Sequence, residues 1–446
     1  MKANVSRRTA LKLAASAAAL TPALSACGSR SSAGSEDSSS DSSEGGLSGE
    51  ITFVAWGSDA ELDCDNEVCR KFEEQHPGTT VNFEALNSDY ATTVETRFLG
   101  GQSPDVIYGH PQTLLSWMRE GMLEPITDVY DAHQELWDES VFFTNLYEAY
   151  KYEDNYYATP VGADTSVLFY NKDLFDAAGL SYPTKDTTWD ELADMCKKLT
   201  SRDANGIPQT IGIDSVDGQW QNILYSLGGS IFDSMDNPTK VTLDSPEMLQ
   251  TLNWIKDNYD NASGFALTEQ DQTYITNGFA TGQVACYISG VYDIVWLAET
   301  EGLNWDIAPI PGTMSKEGDT PILYCGYAVG SQSKNKDLAK EFAYFMTSYD
   351  AQVIMGKTGL ITSMRKDVAY SDDMLKFDGA PEHNSLRVDN IPYGKNQQGQ
   401  CLCWGEVVTS ITNNIYKMVQ GEVSPEEAQA AMQQESADLL AAELKG

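Results

Sequence analysis

Basic residues are scarce in this 446-residue chain. It contains 29 lysines and arginines against 66 aspartates and glutamates, which gives a formal net charge of −37 at pH 7. Four of the basic residues lie in the first 26 positions, so the rest of the chain carries 25 basic groups and a net charge of −41 by the same count. Such an excess of negative charge repels phosphate backbones and anionic lipid surfaces. Nucleic acid and anionic membranes are therefore not expected as partners.

Recognisable catalytic and metal-binding motifs are also missing. The sequence has no phosphate-cradling glycine loop, nucleophile elbow or zinc helix motif. Its four histidines are scattered, and its cysteines lack paired CxxC spacing. Among 66 acidic residues some pairs lie close by chance, so a glycosidase pair cannot be assigned from sequence. Binding without turnover is the better interpretation, and neither a cofactor nor a metal is expected.

The first 26 residues are predicted to be an export signal. Arg7 and Arg8 belong to a charged leader, and the apolar run at 13–20 is too short to span a bilayer permanently. Small residues lead into Cys27, a pattern that resembles a lipoprotein signal, in which this cysteine is acylated and becomes the mature N-terminus. Ala10 departs from the bulky apolar residue usual in twin-arginine signals, so the choice between Tat and Sec export stays open.

The next stretch, 27–49, is rich in serine, glycine and aspartate, and its run at 28–46 has no apolar residue large enough to anchor a core. Such composition stays solvated, so we expect a flexible tether between a lipid on the outer face of the cytoplasmic membrane and a folded region. That region starts near Ile51 and contains about 400 residues, enough for two packed domains. No later run is long and apolar enough to cross a membrane.

Seven cysteines follow Cys27, and an odd number leaves at least one without a disulfide partner. Cys196 shares a helical face with apolar neighbours, and so does Cys69, which predicts two buried thiols. Export permits disulfides, but the sequence does not determine their connectivity.

The folded region begins with a strand, a helix and a second strand. Residues 51–57 form an apolar run closed by glycine, a helical pattern extends to Gln75, and 80–84 is the next strand. Strands with this spacing predict a right-handed parallel unit and hence an α/β fold. Later helices have clear starts: Thr188 and Glu191 form a capping box, and Ser245 and Ser424 each precede a proline.

An ordered set of phrases connects this chain to a known family. FVAWGS, KFEEQHPGTTVNFEA, SPDVIYGH, REGMLEPI and VGADTSVLFYNKDLFDAAGL occur in that order. The set resembles the extracellular solute-binding proteins of ABC importers, in the sugar-binding group that includes maltose-binding protein. The resemblance implies an α/β, type II periplasmic-binding-protein-like fold, with two interleaved lobes, hinge crossings and a ligand cleft between the lobes.

The resemblance also implies lobe boundaries. The first lobe would comprise 50–158 and 306–348, and the second 159–305 and 349–446. At the start of the second lobe, 161–180 is expected to contain a glycine-broken loop, a short strand and the opening of a helix.

Twelve residues are placed at or near the cleft by the resemblance. Sugars have apolar faces ringed by hydroxyls, so a site for them needs flat aromatic surface and planar polar partners. Trp220, Tyr292 and Trp404 are the expected stacking aromatics, with Tyr292 standing where the family often has tryptophan. Ligand contact is favoured over core packing for Trp404, both remain open for Tyr292 and Trp56, and Arg365 is slightly favoured as a hinge salt bridge. The full set is Trp56, Ser58, His110, Gln112, Asp164, Thr165, Trp220, Tyr292, Gly326, Tyr327, Arg365 and Trp404.

The resulting hypothesis is a monomeric, lipid-anchored protein that captures a carbohydrate and delivers it to an ABC permease. The expected carbohydrate is an oligosaccharide. Three alternatives stay open. The same fold could bind a polyamine or peptide, in which case acidic residues would converge in the cleft. A surface enzyme acting on glycans would carry a carboxylate pair at catalytic separation, and an adhesive surface protein would bind no small ligand.

Overall fold

The computed structural model describes residues 47–86, 89–259, 264–314 and 318–445. The predicted export signal, Cys27 and all but the last three residues of the predicted tether lie outside these ranges. Within them, no helix is both long enough and apolar enough to cross a bilayer.

Strands and helices alternate along most of the described chain. The strands are β1 (Gly49–Ala55), β2 (Thr79–Ala85), β3 (Val106–Gly109), β4 (Leu123–Glu124), β5 (Lys151–Tyr152), β6 (Asn155–Tyr156), β7 (Ala158–Asn171), β8 (Ser201–Arg202), β9 (Pro208–Ile213), β10 (Val284–Gly290), β11 (Trp305–Ala308), β12 (Thr320–Gly330), β13 (Thr362–Ser363) and β14 (Gly394–Asn396). The α-helices are α1 (Asp59–Gln75), α2 (Tyr90–Leu99), α3 (Pro111–Arg119), α4 (Thr127–Ala132), α5 (Lys172–Ala178), α6 (Trp189–Leu199), α7 (Trp220–Ser226), α8 (Pro246–Asn258), α9 (Asp293–Ala298), α10 (Lys336–Phe345), α11 (Tyr349–Gly356), α12 (Lys366–Ala369), α13 (Asp372–Leu375), α14 (Leu386–Asp389), α15 (Trp404–Val419) and α16 (Pro425–Glu443).

One continuous sheet connects these strands except β5 and β6, which pair with each other. Its strand order is β2-β1-β3-β12-β7-β10-β9-β8, with β4 and β14 pairing to β12 and with β11 and β13 pairing to β7. The outer pairs β2·β1·β3 and β10·β9 are parallel, whereas β12 and β7 run antiparallel to their neighbours in the middle. The predicted α/β class and the parallel β1–α1–β2 unit are confirmed.

Local signals fix several helix boundaries where the sequence predicted them. Helix α1 ends at Gln75, and α6 begins behind the Thr188–Glu191 capping box. Ser245 and Ser424 each accept a hydrogen bond from a backbone N–H in the first turn of the following helix. These caps satisfy N–H groups that have no partner inside the helix.

Strand β7 differs from the prediction. The sequence predicted a glycine-broken loop followed by a short strand, but Ala158–Asn171 is a single 14-residue strand. Gly162 does not interrupt it; a Cβ there would lie 2.2 Å from the carbonyl oxygen of Thr362, so glycine is required for the close approach of β13. The strand continues because β12 and β13 pair with its first half and β10 and β11 with its second half.

The apolar side chains form two large cores and a smaller third one. Strand β7 joins them, since Val161 and Ala163 pack in the first core and Leu168 and Tyr170 in the second. The lobe boundaries stay a prediction, because packing in a core does not by itself assign an element to a lobe. Helix α11 packs in the first core, and β11 packs in the second and third cores. The apolar face of each element determines the core in which it packs.

The seven cysteines within the described ranges are all buried and free of disulfides. The predicted burial of Cys69 and Cys196 is therefore confirmed. Burial raises the pKa of the Cys196 thiol well above its ordinary value, so it behaves as a small apolar side chain.

Candidate functional site

A cavity of about 550 Å³ lies where β7 and β12 run beside the starts of three helices. Small-molecule sites typically have volumes of about 300–1,000 Å³, so the space suits a ligand of that size. Six of the twelve predicted site residues line the cavity, and the other six do not. The six in the cavity are His110, Asp164, Thr165, Trp220, Tyr292 and Trp404.

The three aromatic residues occupy equivalent positions in their helices. Trp220 is the first residue of α7, Trp404 is the first residue of α15, and Tyr292 is the N-cap of α9. Trp220 and Trp404 are only 5% and 8% exposed and pack in the second core, whereas Tyr292 is 43% exposed. Trp404 thus combines the favoured role with the alternative weighed against it, since it lines the cavity and also packs in the second core.

Gly290 determines where the Tyr292 ring can lie. A Cβ on Gly290 would come within 2.2 Å of the Cε1 atom of Tyr292. Both residues line the cavity. Glycine at 290 is therefore needed for the Tyr292 ring to cover this part of the wall.

Four buried polar atoms in the cavity wall have no hydrogen-bond partner. They are Asp164 Oδ1, Thr165 Oγ1, Asn222 Oδ1 and Gln398 Oε1. Buried polar atoms in folded proteins nearly always have a partner, so a concentration of unpaired atoms at one cavity requires an explanation. All four are oxygen atoms of residues that line the cavity, and a hydroxyl group, which both donates and accepts, is a suitable partner for such an oxygen where a ligand reaches it.

Opposing effects act on the pKa of Asp164. Burial raises its pKa to about 7, while the Arg387 guanidinium and the Thr362 backbone N–H oppose that rise. Arg387 is fully buried, its Nη1 atom is unpaired, and its Nη2 atom donates to the carbonyl oxygen of Gly359 at 2.7 Å. A buried guanidinium favours a nearby carboxylate, so Arg387 helps to keep Asp164 charged.

His110 contributes an acceptor from the first core side of the cavity. Its Nδ1 atom lies 2.9 Å from the carbonyl oxygen of Tyr324, and because a carbonyl only accepts, Nδ1 carries the proton. Burial lowers the pKa of His110, so the ring is neutral at pH 7 and Nε2 is an acceptor.

Four of the six residues outside the cavity are accounted for by packing or capping. Trp56 packs against His110, with ring centroids 5.1 Å apart and ring planes tilted by 59°, and Tyr327 is fully buried among first-core aromatics. Ser58 caps α1 through Glu61. Gly326 faces the Tyr150 ring, which would lie 2.7 Å from an added Cβ.

Gln112 and Arg365 were likewise predicted near the ligand and do not line the cavity. Gln112 is a half-buried residue in the first turn of α3. The Nη2 atom of Arg365 lies 2.7 Å from Asp367 Oδ2, and its guanidinium lies 4.9 Å from the Phe142 ring centroid. Arg365 does form a salt bridge, as favoured, but with a residue two positions away.

Asn222, Gln398 and Arg387, whose charge acts on Asp164, were not predicted from the sequence. An amide-rich run, Gln219-Trp220-Gln221-Asn222, could have indicated the first, because amides beside an aromatic residue suit a sugar. Gln398 follows a three-residue strand that has no clear sequence signal. Arginine is rarely buried without a partner, so nothing in the sequence distinguished Arg387 from a surface residue.

Two clusters of side chains that could bind a metal lie outside the cavity. Within each cluster, the candidate ligand atoms lie within 4.8 Å of one another. One contains Cys401, Cys403 and Glu443, and the other Asp306, Glu382 and His383. Their carboxylates already have protein partners: Glu443 contacts Arg119, and Asp306 contacts His383. Neither group is assigned as a metal site.

Comparison with known proteins supports the fold and the family. The protein is similar to the maltotriose-binding protein of Pyrococcus abyssi, with 25% identity over 350 residues, or 76% of this chain and 69% of that protein. It is also similar to the galactooligosaccharide-binding protein of Bacillus subtilis, with 24% identity over 66% of this chain and 68% of that protein.

A solved structure and a family profile extend this comparison. The ABC substrate-binding protein Lmo0181 from Listeria monocytogenes, in complex with cycloalternan, superposes with a TM-score of 0.72 at 24% identity, covering 86% of this chain and 97% of that one. This likeness confirms the predicted two-lobe fold class. The profile described as bacterial extracellular solute-binding protein matches residues 60–353, well over half of the sequence. The chain therefore belongs to the family of bacterial extracellular solute-binding proteins.

Proposed function

We propose that this protein captures an uncharged oligosaccharide in the cavity beside β7 and delivers it, without turning it over, to an ABC permease. The observation that carries the proposal is the combination of three aromatic side chains with four unpaired polar atoms in one cavity wall. Aromatic rings cover the apolar faces of a sugar, and the unpaired atoms match its hydroxyls.

The charge of the cavity favours a neutral ligand. Asp164 is the single carboxylate, and no lysine or arginine occurs, among the described residues that line it. A polyamine carries several positive charges and would need several carboxylates converging on the cavity. The strong negative charge of the protein as a whole is therefore not concentrated at this site.

The ligands named for two similar proteins also support an oligosaccharide. The two similar proteins named above are described as binding maltotriose and galactooligosaccharides. Both ligands are neutral and longer than one sugar unit. The proposed ligand class for this chain is the one that these names share.

Delivery requires the protein to distinguish its liganded from its empty form. We propose two lobes, each built on one of the large cores, that rotate about β7 and β12 and close on the ligand. Ligand selects the closed form only to the extent that it binds that form more tightly. We further propose that acylated Cys27 holds the protein outside the cytoplasmic membrane.

A thermal-shift panel tests the ligand class. Protein starting at residue 48 is heated with monosaccharides, oligosaccharides, polyamines and short peptides. A ligand at about 100 times its dissociation constant should add about 2.7 kcal/mol to the free energy of unfolding, a rise of a few degrees in Tm.

Stabilisation confined to oligosaccharides would support the proposal and identify the sugar. Stabilisation by polyamines or peptides alone would overturn the ligand class, and the appearance of shortened sugars during incubation would overturn binding without turnover.

A further inference from the structure

An ion pair connects elements that belong to different cores. The Nη1 atom of Arg119, at the end of α3, lies 2.6 Å from Oε1 of Glu443, at the end of α16. Helix α3 packs in the first core through Trp117, and α16 packs in the second through Leu440. The side chains are 30% and 13% exposed, so the pair is partly shielded from solvent. It therefore spans the same two cores that the cavity adjoins.

The same carboxylate holds the start of α15. Glu443 Oε2 accepts a hydrogen bond of 2.9 Å from the backbone N–H of Cys403, the residue before Trp404. Burial raises the pKa of Glu443, but backbone N–H groups of Leu402 and Cys403 and the Arg119 side chain outweigh it, so the net shift is downward. Glu443 is thus charged at neutral pH and bridges a cation and a helix start.

The two thiols near Glu443 add no charge that would compete with Arg119 for its carboxylate. Burial raises the pKa of Cys403 to about 11 and that of Cys401 further, so both thiols are neutral at pH 7. The Arg119 guanidinium also lies 5.9 Å from the Tyr152 ring centroid, which helps to fix it on the first core. The Glu443 carboxylate therefore connects Arg119 of α3 with Cys403, the residue preceding Trp404.

We propose that Arg119 and Glu443 are positioning residues for Trp404, which couple the relative placement of the two cores to the aromatic wall of the cavity. Neither residue lines the cavity. Loss of Arg119 leaves Glu443 without its cation, loosens the start of α15 and weakens ligand stacking on Trp404. The effect on affinity rests on the proposed function, whereas the effect on α15 does not.

Hydrogen exchange and ligand affinity, measured on the same purified variants, test this inference. The variants are R119A and E443Q, with R97A as the matched control. Arg97 is 29% exposed and pairs with Glu84 at 2.8 Å, but that pair lies within the first core region. Amide exchange in the peptide 400–407 should rise by about threefold or more in R119A and E443Q and stay unchanged in R97A.

The dissociation constant for the best sugar of the panel should rise about threefold to thirtyfold in R119A, a range typical of residues that act through a neighbour. In a W404L background R119A should have no further effect, because its influence passes through the tryptophan. R119K should recover part of the affinity.

Two results would overturn the inference. Unchanged exchange in the peptide 400–407 of R119A would do so whether or not any sugar binds. If R119A lowered the affinity equally in the wild-type and W404L backgrounds, the proposed coupling through Trp404 would be wrong. If exchange rises as expected but the wild-type protein binds no sugar, the proposed function fails and the positioning of α15 stands.

Discussion

Two parts of the cavity lining are built by different means. The part called here the strand side consists of β7 and the segment after β14, which present polar groups, among them Asp164, Thr165 and Gln398. The part called the helix side consists of the starts of α7, α9 and α15, which present Trp220, Tyr292 and Trp404. Backbone pairing fixes the direction of each side chain in a strand, whereas the placement of an aromatic residue at a helix start depends on the packing behind it.

We expect the strand side and the helix side to contribute differently to ligand recognition. The strand side should determine which hydroxyl pattern is accepted, because its unpaired atoms have fixed positions. The helix side should supply most of the affinity, because aromatic rings cover the largest apolar area. Substitutions on the two sides should therefore have different signatures.

The largest loss of affinity is expected from W404A. Trp404 is almost completely buried in a packed wall, the setting in which a truncated aromatic residue costs about 2 kcal/mol or more, or roughly 30-fold in the dissociation constant. W296A is the control, because Trp296 is 45% exposed and lies outside the cavity lining. Titration calorimetry measures both variants. A loss of affinity in W296A equal to that in W404A would contradict the assigned wall.

A pH dependence is expected from the strand side. Hydroxyls that donate to Asp164 favour its carboxylate form, so binding releases a proton near the free pKa of about 7. Affinity should therefore rise between pH 6 and 8, by roughly tenfold for a charged hydrogen bond. His110 should contribute less to this rise, because burial lowers its pKa below the ordinary value.

D164N is the control for that pH profile. It should bind more weakly than the wild type at pH 8 and show a flat profile, as measured by calorimetry across the same range. A slope retained in D164N would assign the titration to another group.

A smaller loss of affinity is expected from G290A. The added Cβ would push the Tyr292 ring out of its position, which costs about 1 kcal/mol for an off-rotamer side chain, or roughly fivefold in affinity. G405A is the matched glycine control, because a Cβ at 405 meets no atom within 4 Å. Crystallography of G290A with bound sugar would locate the displaced ring. Unchanged affinity would show that Tyr292 does not cover the ligand.

The sequence predicted some lining residues on each side of the cavity and missed others, for a physical reason. Asp164 and Thr165 belong to a phrase that resembles the family, and the aromatic residues at 220, 292 and 404 follow turns that are visible in the sequence. Asn222 and Gln398 depend on how short segments pack, as does the burial of Arg387. Tertiary contacts of this kind leave little trace in local pattern.

The same reasoning explains the difference at strand β7. Glycine at 162 was interpreted as a break because glycine weakens isolated strands, yet here it admits the carbonyl oxygen of Thr362. Packing likewise decides where α11 lies, since its buried side chains, Ala351 and Ile354, belong to the first core. The start of α6 and the end of α1 were predicted from local sequence, whereas Ser58, expected near the ligand, caps the start of α1.

The smallest effect on affinity is expected from R365A. Arg365 pairs with Asp367 and lies over the Phe142 ring, so its removal should lower the free energy of unfolding by about 1 kcal/mol. Because it does not line the cavity, the dissociation constant should change by less than about twofold, within the range of an exposed ion pair. Chemical denaturation and calorimetry on one preparation separate the two quantities. A large loss of affinity with unchanged stability would place Arg365 at the ligand, as its position in the sequence first suggested, and would mean that the lobes rearrange around it when they close.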